Sequence, residues 1–223
     1  MRIHLKLTPN KEPVPFNYQE NLTGAVNKWM GDNPSHDKIS LYSFSWLNKG
    51  RPLKNKAGIK HLNFESGTGF FISAWDEATI KQIIEGIQKD PEIAFGLKVH
   101  EIIIQETPDF TMREYFEAAS PIFIKRKIEN RIKFYYHDNK EAGTLLTETL
   151  KNKMKMAGIE DDSLEIKFDN DYTGTYKKGT KYNGIQNIGS VCPVIIKASA
   201  ETKAFAWNVG LGNSTGIGFG AIR

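Results

Sequence analysis

Asn17-Tyr18-Gln19-Glu20-Asn21-Leu22-Thr23-Gly24-Ala25-Val26-Asn27-Lys28-Trp29-Met30-Gly31 carries the reading on which the fold turns. Leu22, Ala25, Val26, Trp29 and Met30 recur at the i, i+3, i+4, i+7, i+8 spacing of one buried helix face. Asn17 is the predicted N-cap, Glu20 stands at the capping-box position, and Gly31 is the stop. Before this helix, Met1-Arg2-Ile3-His4-Leu5-Lys6-Leu7 alternates as a strand does. After it, residues 39–47 place Tyr42, Phe44 and Trp46 on one strand face, and residues 69–75 form another strand. A second helix begins near Asp76, with Ile80, Ile83, Ile84 and Ile87 as its stripe and Pro91 just beyond its end. Residues 94–105, rich in Ile and Val, close the unit as a strand. The order is β-α-β-β-α-β, an α+β ferredoxin-like unit whose two helices cover one face of an antiparallel sheet.

Thr107-Pro108-Asp109 is the expected boundary, dividing the chain into residues 1–107 and 108–223. The second half has strands at 110–116, 122–125 and 133–136, then a helix over 141–157 with Leu145, Leu146, Leu150 and Met154 as its stripe and Gly158 as its C′ residue. Strands at 164–168 and 191–198 and a short helix at 201–208 lead to the C-terminus. This half is less regular, and its strand count stays open.

The tail holds five glycines in a fixed pattern: Gly210-Leu211-Gly212, the spacer Asn213-Ser214-Thr215-Gly216-Ile217, then Gly218-Phe219-Gly220. Glycine without a Cβ lets the chain take positive φ and approach a ligand closely, so that amide N–H groups can converge on a phosphate. A nucleotide-binding P-loop needs Gly-Lys-Ser/Thr opening a helix, and a dinucleotide fold needs its glycines after an N-terminal strand. Neither fits. Residues 217–222 alternate like a closing strand, and a glycine-rich hairpin or bulge with no ligand is the alternative.

The net charge is +4, and its distribution is uneven. No Asp or Glu occurs from residue 38 to 64, where Lys38, Lys49, Arg51, Lys54, Lys56, Lys60 and His61 fall. Lys125-Arg126-Lys127 with Arg131 and Lys133, and Lys177, Lys178 and Lys181 beside Tyr172, Tyr176 and Tyr182, add further basic groups. Basic residues interleaved with aromatics suit phosphate contact and base stacking; solvated loops are the other reading. The single Cys192 excludes an internal disulfide framework and any cysteine-cluster metal site. No apolar run approaches the roughly 18 residues of a membrane span, and the N-terminus lacks the continuous apolar core of a secretory signal, so a cytoplasmic location is expected.

The spacing Gly-hydrophobic-Gly, five residues, Gly-hydrophobic-Gly at the end of a basic chain resembles the signature of the CRISPR repeat-processing endoribonucleases, the Cas-six family of the RAMP superfamily. Asn17-Tyr18-Gln19, His36, the segment Lys38-Ile39-Ser40-Leu41-Tyr42-Ser43 and Ala119-Ser120-Pro121-Ile122 extend the resemblance over nearly the whole chain. It implies two tandem ferredoxin-like domains, a CRISPR repeat RNA as partner, and one cut per repeat that leaves a 2′,3′-cyclic phosphate and a 5′-OH. It also implies that a histidine in the loop after the first helix is the general acid/base, which is His36, and that a nearby lysine, Lys38, stabilises the transition state. Where members place a helix tyrosine this chain has Asn27 and Lys28, and Lys28 is the candidate substitute. Members often carry a basic residue in the glycine spacer; here Asn213, Ser214 and Thr215 stand there, which would leave phosphate binding to the backbone of Gly210, Gly212, Gly218 and Gly220 and to the spacer side chains. Lys49, Arg51, Lys54 and Lys56 are the expected phosphate contacts of a basic arm. Interference-complex subunits and a second copy of the chain are further partners compatible with the resemblance; no membrane partner, cofactor or metal is expected.

The chemistry suits those residues. Metal-free RNA cleavage needs a base for the 2′-OH and an acid for the leaving 5′-oxygen, and histidine, with an ordinary pKa of about 6.5, supplies both forms near neutrality. His4 and His100 lie in predicted strands, His137 follows one, and His61 is in the basic arm; His36 lies in a turn-rich loop between helix and strand. Asp32 and Asp37 flank His36 without completing a metal-ligand spacing, and no Gly-x-Ser-x-Gly elbow is present. A noncatalytic RNA-binding subunit of a CRISPR complex is the competing reading.

Overall fold

Alternation in the N-terminal strand and the 3.6-residue period of the helices following it generate a four-stranded sheet with two helices on one face. The computed structural model describes residues 1–31, 39–54, 58 and 60–223. The first unit comprises β1 (Arg2–Leu7), α1 (Gln19–Met30), β2 (Tyr42–Phe44), the short strands β3 (Arg51–Lys54) and β4 (Lys60–Asn63), β5 (Thr68–Ala74), α2 (Glu77–Lys89) and β6 (Val99–Gln105). Its sheet order is β2-β5-β1-β6 with all three pairings antiparallel, the ferredoxin-like arrangement. Strands β3 and β4 pair separately as a hairpin between β2 and β5. Period 2 sends Ile3, Leu5 and Leu7 into the core with Trp29, Val26 and Ile83, and sends Arg2, His4 and Lys6 to the opposite face.

The second unit comprises β7 (Tyr115–Phe116), β8 (Ile124–Ile128), β9 (Arg131–Tyr135), α3 (Ala142–Ala157), β10 (Glu165–Phe168), β11 (Tyr176–Tyr182), β12 (Ile185–Val191), β13 (Val194–Lys197) and α4 (Ala200–Val209). Three strands order as β10-β13-β7, and an antiparallel bridge from Ala118 to Ile222 adds the chain end beside β7. That repeats the strand order of the first unit. A separate core gathers Phe116, Leu146, Leu150, Ile166, Val194, Phe205 and Ile222. Hairpins β8–β9 and β11–β12 project from it. No helix among the described residues is long and apolar enough to cross a membrane.

Several local expectations change. Asn17 does not cap α1: Tyr18 is the N-cap and makes no side-chain cap bond. The Asn17 carboxamide oxygen instead accepts from Thr180 Oγ1 (2.6 Å) and the Lys181 amide (2.7 Å), and a Glu20 carboxylate oxygen accepts from the Asn183 amide. These side chains tie α1 to the β11–β12 hairpin. The strand expected over residues 110–116 shrinks to β7, because Asp109 accepts from the Thr111 amide and hydroxyl and turns the chain. The closing strand expected over 217–222 is replaced at its start by a 3-10 turn over Thr215–Ile217, and only the last residues pair. Hairpin β11–β12 turns at Asn183-Gly184, whose φ values of 48° and 74° suit a two-residue hairpin turn.

Candidate nucleic-acid interface

The glycine-rich tail is an interior joint between the two units. Helix α4 ends at Gly210, and the Leu211 amide donates to the Gly220 carbonyl (2.8 Å), closing a loop on itself. The Asn213 amide donates to the Phe123 carbonyl (2.7 Å) and the Gly220 amide to the Pro121 carbonyl (2.9 Å), anchoring both ends on the strand side of the second unit. From the first unit, Trp46 Nε1 donates to the Gly218 carbonyl (2.6 Å), the Tyr42 hydroxyl to the Gly216 carbonyl (3.2 Å) and Gln19 Nε2 to the Ile217 carbonyl (3.3 Å). Burial holds the Tyr42 hydroxyl up at a pKa of about 12, so it stays a donor throughout the neutral range.

Gly218 is a position where only glycine fits. Its φ is +84°, and a Cβ there would collide with the Gln19 carboxamide and lie 2.8 Å from Phe44 Cε2. Gly210, Gly212, Gly216, Gly218 and Gly220 are all buried, whereas Asn213, Ser214 and Ile217 are partly exposed. Within the structure the close approaches of the glycine backbone are to this protein's own atoms, main-chain carbonyls at Gly210, Gly212 and Gly220 and the Gln19 and Phe44 side chains at Gly218. The amides of Leu211, Asn213, Ile217, Gly218 and Gly220 are engaged internally. The polar side chains that the loop presents outward, at its edge, are those of Asn213 and Ser214.

Beneath that edge lies a buried ammonium. Lys153 sits on the apolar stripe of α3 between Leu150 and Met154, only 3 % exposed. Its Nζ donates to the carbonyls of Val209 (3.0 Å) and Gly210 (3.2 Å) and to Thr215 Oγ1 (3.0 Å). It braces the loop from start to middle. Among the described residues no carboxylate forms an ion pair with it, and burial pushes its pKa down to about 7. The carbonyl end of α4 favours a cation there by up to about 2 kcal/mol. Desolvating an ammonium costs several kcal/mol. The helix end offsets part of that cost.

Lys153, Asn213, Ser214 and Thr215 share the wall of a cleft of about 580 Å³ with Lys125, Arg126 and Lys127 of β8 and with Ile39 and Ser40. Asn213 Oδ1 accepts from the Lys125 amide (2.9 Å), fixing the loop edge to β8. Arg126 reaches Glu148 (3.4 Å) and the Leu145 carbonyl (2.6 Å) on α3. Ile39 and Ser40, the first described residues after position 38, line this cleft.

A larger cleft, about 1150 Å³, lies between the open face of the first sheet and the second unit. Lys6, Lys49, Arg51, Lys178 and Arg223 line it, against Glu65 and Glu101, and Lys6 pairs with Glu101 at 2.8 Å. His4, whose Nε2 lies 2.6 Å from Gln105 Oε1, and His100 also face it. Lys178 Nζ stands 4.7 Å above the Trp46 ring. The floor is closed by Arg2, which is sandwiched between the Phe71 and Trp207 rings and donates to the carbonyls of Trp207 (3.0 Å) and Ile222 (2.7 Å).

The predicted residues are thus divided. Lys49 and Arg51 line the large cleft, and Lys54 is exposed on β3; Lys56, His36 and Lys38 lie outside the described residues. Lys28 is committed elsewhere: its ammonium donates to Asp90 (2.8 Å) and to the Glu92 carbonyl (2.6 Å), bonding α1 to the end of α2. Sequence reasoning missed Lys153, although a lysine on an otherwise apolar stripe was its signal, and missed Lys6, Arg223 and Trp46, which give no local signal.

Two ferredoxin-like units meet at a C-terminal glycine loop, and two clefts lined by basic side chains open on the molecule. Residues 105–223 match the family described as CRISPR associated protein Cas6, C-terminal, and the chain belongs to that family. A relative from Pyrococcus horikoshii, named a putative CRISPR-associated endoribonuclease-like protein Cas6nc, is 28% identical over 245 residues, covering 100% of this chain and 99% of the relative. A solved CRISPR associated protein Cas6 superposes with a TM-score of 0.80 at 21% identity, over 100% of this chain and 98% of that one. A second structure, of an RAMP protein binding different RNA substrates, gives a TM-score of 0.80 at 20% identity over 100% and 98%. These last two likenesses establish the fold.

Proposed function

We propose that this chain binds CRISPR repeat RNA and cuts it once per repeat as a metal-independent endoribonuclease of the bacterial or archaeal cytoplasm. The observation that carries this reading is the basic cleft in which Lys125, Arg126 and Lys127 share a wall with the loop edge Asn213-Ser214 and with Ile39 and Ser40. Family membership and the name of the Pyrococcus relative support the substrate class.

In this mechanism His36 takes the proton from the 2′-OH, and that oxygen attacks the adjacent phosphorus. The bond from phosphorus to the 5′-oxygen breaks, and the departing oxygen is protonated, leaving a 2′,3′-cyclic phosphate and a 5′-OH. Lys38, with Lys125 and Lys127 on the cleft wall, stabilises the extra negative charge on the phosphorane. Lys49 and Arg51 hold flanking phosphates along the larger cleft, Lys54 and Lys56 are further phosphate contacts, and Thr215 acts through the loop. Residues 1–107 and 108–223 serve as its two domains, and interference-complex subunits or a second copy of the chain are its protein partners.

The test is incubation of the purified protein with a synthetic repeat RNA from the CRISPR arrays of its source genome, in EDTA at elevated monovalent salt. A single cut with a cyclic-phosphate end supports the proposal. Tight binding without a cut points to the RNA-binding subunit instead, and cleavage restored only by magnesium refutes the metal-free chemistry.

A further inference from the structure

We infer that Lys153 is a positioning residue whose buried charge is completed by an RNA phosphate seated at the Asn213-Ser214 edge, so that RNA binding and protonation of this lysine are coupled. The inference rests on the RNA-binding reading above. It begins from the loop's own composition: the five spacer residues contain no cation, yet one has been placed inside the loop from a helix about sixty positions earlier in the chain. All three of its acceptors are neutral, two carbonyls and a hydroxyl. An apolar residue would fill the same stripe of α3 without the desolvation penalty, and the favourable end of α4 does not offset that penalty in full. The missing counter-charge has a place to bind, because Lys153 shares a cleft wall with Asn213 and Ser214.

The charged groups facing that cleft from the packed elements are Lys125, Arg126 and Lys127 of β8 and Glu148 of α3. Glu148 is met by Arg126, and α4 contributes its terminal carbonyls. The remaining balance in the cleft is cationic, which disfavours the protonated ammonium in the free protein and favours an entering phosphate. A phosphate reverses that local field, and the ammonium then holds its proton to higher pH. Through Thr215 the same ammonium keeps the loop edge in place. Above pH 7 the unprotonated side chain must take up a proton when RNA binds, and affinity then falls by up to tenfold per pH unit.

The experiment follows the Lys153 side chain by NMR of lysine-labelled protein, its signal assigned by its absence in Lys153→Met, with the synthetic repeat RNA, 2′-O-methylated throughout to prevent cleavage, as the RNA. The expected result is a titration midpoint near 7 in the free protein that rises by at least one pH unit when the RNA is bound. Lys153→Met should lose the part of the pH dependence of affinity that lies above 7. Failure of the wild type to bind RNA at any pH overturns the RNA-binding reading and this inference with it. Bound RNA with an unmoved midpoint overturns the inference alone, and because that measurement uses the wild-type chain it stands even where Lys153→Met does not fold.

Discussion

Gly218→Ala tests whether the glycine signature is a joint or a ligand cradle. Alanine at φ +84° and ψ 29° pays roughly 1–2 kcal/mol for the left-handed conformation. Its methyl group also meets the Gln19 carboxamide and Phe44, and overpacking of this kind costs about 1–3 kcal/mol more. The sum, roughly 2–5 kcal/mol, corresponds to a fall in Tm of roughly 4–20 °C for a chain of this size. Gly158→Ala is the internal control. Gly158 follows α3 with φ 70° and ψ 25°, and a Cβ there has nothing within 4 Å, so only the conformational part applies. Thermal unfolding of both variants, with RNA affinity measured below their transitions, separates the contributions. If Gly218→Ala melts no lower than Gly158→Ala, or binds RNA more weakly at an unchanged Tm, the joint reasoning is wrong.

His36→Ala should lower repeat cleavage about 10²-fold or more with little change in affinity, measured by single-turnover kinetics and filter binding. Neutralising Lys49, Arg51 and Lys54 to glutamine should flatten the slope of log K against log salt by roughly 0.7 for each phosphate of single-stranded RNA that no longer meets a cation, and an unchanged slope would assign the hairpin to solvent. Lys153 also predicts a stability profile. Its pKa is depressed from 10.5 to about 7 on folding, so the unfolded chain holds the extra proton between those values and stability rises with pH across that window. The gain is of the order of 5 kcal/mol at most; chemical denaturation at pH 7 and pH 10 should find a larger rise in the wild type than in Lys153→Met.

Much of the architecture was legible locally. The stripe Leu22, Val26 and Trp29, the Asp76 cap of α2, whose carboxylate accepts from the Ala78 and Thr79 amides, and Gly158 in the left-handed region all lie where the periodicity and capping preferences put them. These signals act within one turn or one strand pair, so neighbouring residues suffice to decide them. The glycine tail, the buried ammonium and the cleft are different. Spacing marked the tail as special, but the same glycines permit a ligand's approach or the chain's own, and only the tertiary structure shows Gln19, Tyr42 and Trp46 docked on residues 216–218. Asn17 had the chemistry of a cap and was drawn to Thr180 instead, a partner 163 positions away. Lys153 meets its acceptors across 56 to 62 positions. Periodicity carries no information about which elements meet at such separations. Burial of two cores against each other determines that, and it places the charge.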